Sequence, residues 1–482
     1  MSGEGAETYL RLLAEAELRR AAHAADGWEG PAGHGEPGTG TVAAEIALWR
    51  IRRAGRILAA AGALDEESAE RAADDLRAAL TVRSRGLLSR SLARRPAAPP
   101  WMLLASGGAA PRRRAPTARH AGVSMRAVPV GRTLQVADGR APSALHFMSL
   151  VRTAAEAVIT VVMRMHWPAD GSSTDLEITG AGPHHLPYRQ LWASDNRGAG
   201  YSVVFDGDGG TASWQGVVRL SPAPARGTRW LDLVGDGTAL LRLHLVRQAA
   251  RQPGPAVEES AAPPPAERLL TQEAERILAA AWDARGPTPD PDLGEIVTVL
   301  THAGAIAADS PAPGQLAALY GRLGLAGHGI AVPAAAEIPA PWASVAAQRE
   351  AAPPASGQEV FTPLAVVLPE IDGARFALAG LSCAAGESHL HVVAAGMPPP
   401  ADRLTHIGSP GFSWWLKDGA GNWHVGRASE ACTLGDGTQA FRLRLAPPLA
   451  AVPDTAEVVV TGPATRARAA VAVRPAPQTS ED

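Results

Sequence analysis

The chain has 482 residues, of which 46% are hydrophobic and 19% are charged, and its formal net charge is −3. The length predicts about three domains. The 50 glycines and 41 prolines are together about 19% of the chain, below the roughly 25–30% that marks low-complexity disorder. Lys417 is the only lysine, and this preference for arginine is typical of a GC-rich genome. A mechanism that needs a lysine, such as a P-loop or a Schiff base, must therefore use Lys417 or is excluded.

The first residues and the cysteine content predict a cytoplasmic protein. The segment MSGEGAETYL is polar and acidic, unlike the basic start and apolar centre of a signal peptide. No stretch approaches the roughly 20 apolar residues of a membrane helix. Two cysteines, Cys383 and Cys432, are too few for a disulfide framework. The small net charge gives the chain as a whole no general attraction to nucleic acid.

The first segment, residues 1–93, is predicted to form a small helical bundle. Apolar residues recur at three- and four-residue spacing from Tyr9 to Leu18, which indicates one buried helix face. A second helix is expected to end at Gly62. Acidic residues from Asp65 onward favour the positive dipole end of a third helix. A basic linker is expected at 94–125.

Short β-rich runs separated by turns follow, and they predict an antiparallel β domain at 126–248. One such run extends from Ala157 to Met165. Asp-Gly pairs such as Asp236-Gly237 separate the runs and supply the positive φ that tight hairpins need. Many short strands at hairpin spacing, without helices between them, indicate a sandwich or a barrel.

The second half of the chain repeats landmarks of the first half in the same order, so we predict a tandem duplication. Gly62 and Trp101 match Gly304 and Trp342 at an offset of about 241. The offset then falls to about 223–227, which indicates an insertion in the first half. The later matches are 191–195 with 414–418, 220–222 with 445–447, and Gly235 with Gly462.

The duplication predicts a second helical and a second β segment. The predicted segments are a Pro-rich linker at 249–265, a helical bundle at 266–330, a linker at 331–358, a β-sandwich at 359–476 and a tail at 477–482. Trp101 and Trp342 each follow a proline in a predicted linker. We expect each tryptophan to dock its linker onto a folded domain.

The pattern Trp192, Asp195, Gly198 and Tyr201 resembles a strand–turn–strand hairpin of immunoglobulin-like sandwich domains. The resemblance extends over about 120 residues in each half, close to the size of such a domain. It implies an antiparallel immunoglobulin-like β-sandwich in each half. Together with the predicted helices and the duplication, it predicts an α+β multidomain fold, a tandem repeat of a small helical bundle followed by such a sandwich. It implies no functional residues, and the Cys–Trp–Cys arrangement of true immunoglobulin domains is absent.

The sequence predicts no enzyme and no cofactor. Residues 33–38 match G-x-G-x-x-G but lie between two predicted helices, whereas a dinucleotide site needs a strand before the motif. Neither the zinc-protease motif nor the nucleophile elbow occurs. No set of acid, base and nucleophile occurs in both halves. We therefore expect a non-enzymatic protein that binds a protein partner as a scaffold or regulator.

A zinc site is one alternative. His389 and His391 alternate along a predicted strand, so both rings would face one side of a sheet. Cys383 and Cys432 lie in the same predicted domain, and two histidines with one or two cysteines could hold zinc. The competing interpretation is a pair of histidines on a solvated face and two buried thiols.

Nucleic-acid binding is the other alternative. Residues 83–126 contain ten arginines and no acidic residue. This arm could contact phosphates, with its densest part at Arg112, Arg113, Arg114 and Arg119. The competing interpretation is a solvated linker, because no aromatic residues alternate with the arginines to stack on bases.

Overall fold

The computed structural model describes the helices, the strands and the loops next to them. The described residues are 4–26, 39–83, 125–136, 143–153, 157–165, 186, 188, 191–209, 213–225, 227–245, 257–282, 292–307, 309–325, 336–348, 360–384, 386–397, 412–433 and 438–473. Within them lie seven helices and seventeen strands. None of these helices is long and apolar enough to cross a membrane.

The helices lie where the periodicity predicts them, with one addition. They are α1 (Glu4–Asp26), α2 (Thr39–Ala60), α3 (Glu66–Arg83), α4 (Pro265–Ala280), α5 (Asp292–His302), α6 (Ala312–Arg322) and α7 (Ala340–Gln348). The predicted end of the second helix is confirmed, because Gly62 has a φ of 65° just after α2. The Asp65 carboxylate accepts the Ser68 N–H at 2.8 Å and caps α3. The helix α7 lies within the predicted linker 331–358.

Helices from both halves of the chain belong to one compact unit. Helix α2 packs against α5, and the Arg53 Nε lies 2.9 Å from the Glu295 carboxylate. The Tyr9 ring stacks on the His302 ring at 6.2 Å. The predicted arrangement, in which each half forms its own helical bundle with its own sandwich, is therefore wrong.

The first eight strands form one antiparallel sheet, the first sheet. They are β1 (Arg126–Val136), β2 (Ser143–Arg152), β3 (Ala157–Met165), β4 (Leu191–Asp195), β5 (Gly200–Gly209), β6 (Ser213–Ser221), β7 (Trp230–Gly235) and β8 (Thr238–His244). Their order in the sheet is β1-β2-β3-β6-β5-β4-β7-β8. The strand predicted at Ala157–Met165 and the positive φ at Asp236 and Gly237 are confirmed.

The remaining nine strands form the second sheet. They are β9 (Val257–Ala261), β10 (Val360–Val367), β11 (Arg375–Ala384), β12 (Glu387–Ala395), β13 (Ser413–Asp418), β14 (Trp423–Thr433), β15 (Gln439–Ala446), β16 (Thr455–Thr461) and β17 (Thr465–Ala472). Their order is β10-β11-β12-β15-β14-β13-β16-β17-β9. The order from β10 to β17 is that of the first sheet. The added strand β9 lies in the predicted Pro-rich linker and pairs with β17.

The prediction of immunoglobulin-like sandwiches is wrong. A sandwich divides its strands between two facing sheets, whereas here each set of strands is hydrogen-bonded into one continuous sheet. All eight strands of the first sheet contribute to a single core, so the sheet curls around its own side chains. The second sheet encloses a core of the same kind. In the part of the chain that the structure describes, the architecture is two large curled, barrel-like antiparallel sheets together with seven helices.

The two curled sheets pack against each other within one compact unit. The Ser149 hydroxyl donates a hydrogen bond to the Leu364 carbonyl oxygen, and the His146 ring stacks on Phe361 at 3.8 Å. A layer of buried apolar side chains, mostly alanine and valine, lies between the sheets. Its members are Met125, Val151, Val158, Val217, Ala377, Ala379, Val393, Ala395 and Ala440.

Candidate protein-docking face

Corresponding hairpins of the two sheets can be aligned residue by residue. In the β4–β5 hairpin the Asp195 N–H donates to the Ala199 carbonyl at 3.0 Å, and in the β13–β14 hairpin the Asp418 N–H donates to the Asn422 carbonyl at 2.9 Å. The two aspartates are therefore equivalent. Counting outward from them makes 192 equivalent to 415, 194 to 417, 200 to 423 and 204 to 427.

In the second sheet, the outer face of this hairpin is covered. Trp415 is only 7% exposed, and its ring meets the edge of the Trp423 ring at a centroid distance of 6.2 Å. The Lys417 ammonium lies 5.5 Å from the centre of the Trp423 ring in a cation–π contact. Trp423 is thus the centre of this covered face.

Helix α7 is seated at Trp423. The Trp423 N–H donates to the Ser344 hydroxyl at 3.0 Å, and the Trp423 carbonyl accepts a hydrogen bond from the Gln348 side-chain amide at 3.0 Å. Trp342 and Val345 of α7 are buried. The expected docking of Trp342 is thereby confirmed, through a helix instead of an irregular linker. Trp101 lies outside the described residues.

In the first sheet, the equivalent face is left open by the described residues. Trp192 and Val204 are each 40% exposed. Gly200 occupies the position of Trp423, and a Cβ added to Gly200 would meet no atom within 4 Å. The ring that shields Trp415 has no counterpart here among the described residues, and neither does α7. We call Trp192, Gly200 and Val204 the open face.

A charged pair lies on β7 and β8, next to the strand that carries Trp192. The Arg242 guanidinium donates two hydrogen bonds to the Asp232 carboxylate, at 2.6 and 2.9 Å, and lies 4.9 Å from the centre of the Trp230 ring. The Arg242 hydrogen bond lowers the pKa of Asp232. An apolar centre beside hydrogen-bonded charges is the usual composition of a protein-binding surface.

The hairpin that carries the open face is held by one buried carboxylate. Asp195 accepts hydrogen bonds from the N–H groups of Arg197 and Ala199, the Tyr201 hydroxyl at 2.8 Å and the Thr228 hydroxyl at 3.2 Å. Burial acts to raise the pKa of Asp195, but the four hydrogen bonds outweigh it and lower the pKa to about 2. The open face is therefore presented by a pre-organised turn.

The histidines predicted as metal ligands lie elsewhere in the second sheet. His389 and His391 are both buried on the outer face of β12, as the alternation predicts. Cys383 belongs to the core enclosed by the sheet, on the opposite face from the histidines, where burial raises the pKa of its thiol. The structure therefore does not bring Cys383 to the histidine pair.

The other predicted ligands and contacts are only partly described. Cys432 belongs to β14, but its side chain is outside the described part of the structure. Across the described residues, no group of three His, Cys, Asp or Glu side chains is placed to hold a metal ion. Arg112, Arg113, Arg114 and Arg119 lie outside the described residues, whereas Arg83 ends α3 and Arg126 begins β1.

Sequence reasoning placed Trp192 in a predicted hairpin and missed the open face. The signal was present in the alignment of the two halves, where Gly200 stands opposite Trp423. The loss of one large ring from a repeated hairpin uncovers its neighbour. Reading that substitution required the register of the hairpins, which the structure supplies.

Comparison with known proteins does not identify the chain. No family model and no curated protein matches it. Among solved structures, "The crystal structure of the conserved domain protein from Bacillus anthracis" aligns over 69% of this chain and 77% of that chain. The sequence identity is 6% and the TM-score is 0.16, and both values are too low to support an inference about fold or function.

Proposed function

We propose that the chain is a non-enzymatic, cytoplasmic binding protein that takes up a helix of a protein partner on its open face. The observation behind this proposal is the difference between two equivalent tryptophans. Trp415 is covered in the neighbourhood of a seated helix, whereas Trp192 is 40% exposed. Tryptophan is enriched among the residues that dominate binding energy at protein interfaces.

The chemistry of the partner follows from the covered face. Helix α7 has the sequence APWASVAAQ, without any charged residue, and its small residues allow close approach to the sheet. The space beside Gly200 corresponds to the position of the Trp423 ring. We therefore expect a short, largely uncharged helix that carries one aromatic side chain to fill this space, with polar groups at its margin.

The first test uses a fluorescent peptide with the sequence of residues 340–348 as the probe and the full chain as receptor. We expect saturable binding with a Kd on the order of 0.1 mM, as suits a small interface. The Trp192→Ala variant should weaken binding at least tenfold. Gly200→Trp, which supplies the missing ring within the chain, should abolish it. Fluorescence anisotropy measures both effects.

Val360→Ala is the matched control, because Val360 is another exposed apolar residue on a strand of the second sheet. It should leave peptide binding unchanged. A peptide in which the residue at position 342 is alanine should bind more weakly than the original. Absence of saturable binding, or equal loss in Trp192→Ala and Val360→Ala, would contradict the proposed function.

A further inference from the structure

The interface between the two sheets has two chemically different halves. The outer faces of β2, β3 and β6 meet those of β11, β12 and β15, which are the equivalent strands. One half is the apolar layer that includes Val158, Val217 and Val393. Because equivalent strands of the two sheets meet, each residue of the apolar layer has an equivalent position in the other sheet. The residues at these equivalent positions make up the second half of the interface.

Strand register assigns these equivalents. Val158 lies opposite Arg219 in the first sheet, and His389 lies opposite Arg444 in the second. The alignment of 220–222 with 445–447 anchors the count. The equivalent pairs, first sheet then second, are Val151 and Ser382, Val158 and His389, Thr160 and His391, Val217 and Arg442, Val162 and Val393, Arg164 and Ala395, and Gln215 and Ala440.

The exchange turns an apolar layer into a polar one. Where the first sheet has three buried valines, the second sheet has Ser382, His389 and Arg442. Where the second sheet has two alanines, the first sheet has Arg164 and Gln215. We call the resulting group the polar cluster: Ser382, His389, His391, Arg442, Arg444, Arg164, Thr160 and Gln215. An interface that only had to hold the sheets together could have kept the apolar layer on both sides.

The histidines of the polar cluster are buried and surrounded by positive charge. The Ser382 hydroxyl lies 3.1 Å from the His391 Nε2. Burial, followed by the charge of Arg442, lowers the pKa of His389 to about 2 and that of His391 to about 3. The Arg164 guanidinium, from the other sheet, lowers both values further. Both imidazoles are therefore neutral at pH 7, and each can donate one N–H.

Two more polar atoms on the same face of the first sheet call for a partner. The Thr160 hydroxyl oxygen and the Gln215 side-chain carbonyl oxygen are buried and have no hydrogen-bond partner among the described residues. Buried polar atoms are nearly always hydrogen-bonded, so such a site usually contains a ligand or water. The Thr160 hydroxyl can donate to an anion, whereas the Gln215 carbonyl oxygen can only accept and needs a donor such as water.

We propose that the polar cluster binds a small oxyanion, the phosphate or carboxylate group of a small molecule, between the two sheets. Guanidinium groups bind such oxygens through paired, charge-assisted hydrogen bonds. A hydroxyl and two neutral imidazoles add donors from the second sheet, while Arg164 contributes from the first. Low solvent access strengthens each of these contacts relative to the same contact in water.

Titration calorimetry of the full chain with inorganic phosphate and, separately, with acetate tests this proposal. Arg442→Val and His391→Thr place the first-sheet residue at the equivalent second-sheet position, so both should pack. We expect each to weaken binding at least tenfold, while Arg468→Gln, on the exposed surface of β17, changes nothing. The ¹⁵N resonances of the His391 imidazole should shift with anion addition. The anion that binds with the higher affinity shows whether the ligand's charged group is a phosphate or a carboxylate.

Glu430 occupies the register position opposite Arg442, so anion binding is also measured in a Glu430→Gln variant. Absence of binding of either anion at millimolar concentration would overturn the proposal. Binding that appears only in Glu430→Gln would also overturn it, because the carboxylate of the chain itself would then be the occupant. Equal loss in Arg442→Val and Arg468→Gln would show a general charge effect and have the same consequence.

Discussion

The two curled sheets share one strand order but fill their cores differently. At equivalent positions of β6 and β15, the first sheet has Trp214 and Gly216 where the second has Gln439 and Phe441. The large ring of Trp214 beside Gly216 in the first sheet therefore corresponds to the smaller ring of Phe441 beside Gln439 in the second. The fold depends on register and on alternation of inward residues, whereas their individual shapes can be exchanged if the total volume is kept.

The same comparison holds for the buried turns. Tyr201 donates its hydroxyl to Asp195 at 2.8 Å, whereas the equivalent His424 places its Nε2 3.6 Å from the Asp418 carboxylate and its Nδ1 2.7 Å from the Pro447 carbonyl oxygen. Burial lowers the pKa of His424 despite the nearby carboxylate. Equivalent buried polar positions thus differ in chemistry between the two sheets. Because the second sheet buries histidines, we expect it to be the more pH-sensitive one.

The largest expected effect is the acid sensitivity of the second sheet. The pKa values of His389 and His391 are lowered to about 2 and about 3 in the folded chain. Between pH 6.5 and about 3 the unfolded chain binds protons that the folded chain does not, so stability falls as pH falls. The loss is about 1.4 kcal/mol per pH unit for each histidine.

Urea unfolding at pH 7 and pH 4.5 measures this loss. The double variant His389→Val with His391→Thr places the first-sheet residues at both positions and should remove most of the difference. His244→Gln, an exposed residue of β8, is the control and should keep it. An unchanged acid sensitivity in the double variant would refute the assignment to these histidines.

A smaller but sharper effect is expected at Gly216. An added Cβ would lie 2.3 Å from the Asp206 carbonyl oxygen and 2.7 Å from the Gly207 Cα, both of them backbone atoms of the neighbouring strand. Gly216→Ala should therefore cost about 3 kcal/mol in the free energy of unfolding, because backbone must move. Gly200→Ala, where the added Cβ meets nothing, should leave stability nearly unchanged. Similar costs in both variants would contradict the close packing beside Trp214.

The smallest expected effect is at Tyr201. Tyr201→Phe removes one donor from Asp195 and should cost about 1 kcal/mol at pH 7. The lowered pKa of Asp195 means that its contribution is present above the ordinary carboxyl range and is lost as pH falls toward about 2. In the variant the folded-state pKa of Asp195 is higher, so this loss should be smaller and complete at a higher pH, as acid unfolding followed by circular dichroism would show. An identical acid transition in both proteins would exclude the Tyr201 hydrogen bond as a cause.

Local features were predictable from the sequence because they depend on neighbouring residues. The end of α2 at Gly62, the strand at Ala157–Met165 and the turn at Asp236-Gly237 all follow from periodicity and turn chemistry. How strands combine was not predictable, because hairpins of the same length can build a sandwich or one curled sheet. Cys383 and His391 were grouped by sequence distance, yet opposite faces of one sheet separate them.

The open face and the polar cluster share a reason for having been missed. Each appears only when residues of one sheet are compared with their register equivalents in the other, as with Gly200 and Trp423 or Val158 and His389. Such equivalences need the pairing of strands far apart in sequence. A single sequence shows the residues but not which of them occupy equivalent positions in the two sheets.

Equivalent tryptophans of the two sheets differ in exposure, and we propose that the exposed one, Trp192, is a binding site. Oxidative footprinting of the full chain, read by mass spectrometry, compares Trp192 with Trp415 directly. We expect rapid oxidation of Trp192, slow oxidation of Trp415, and protection of Trp192 alone by the peptide with the sequence of residues 340–348. Equal oxidation of the two tryptophans, or no protection of Trp192 by saturating peptide, would contradict the account.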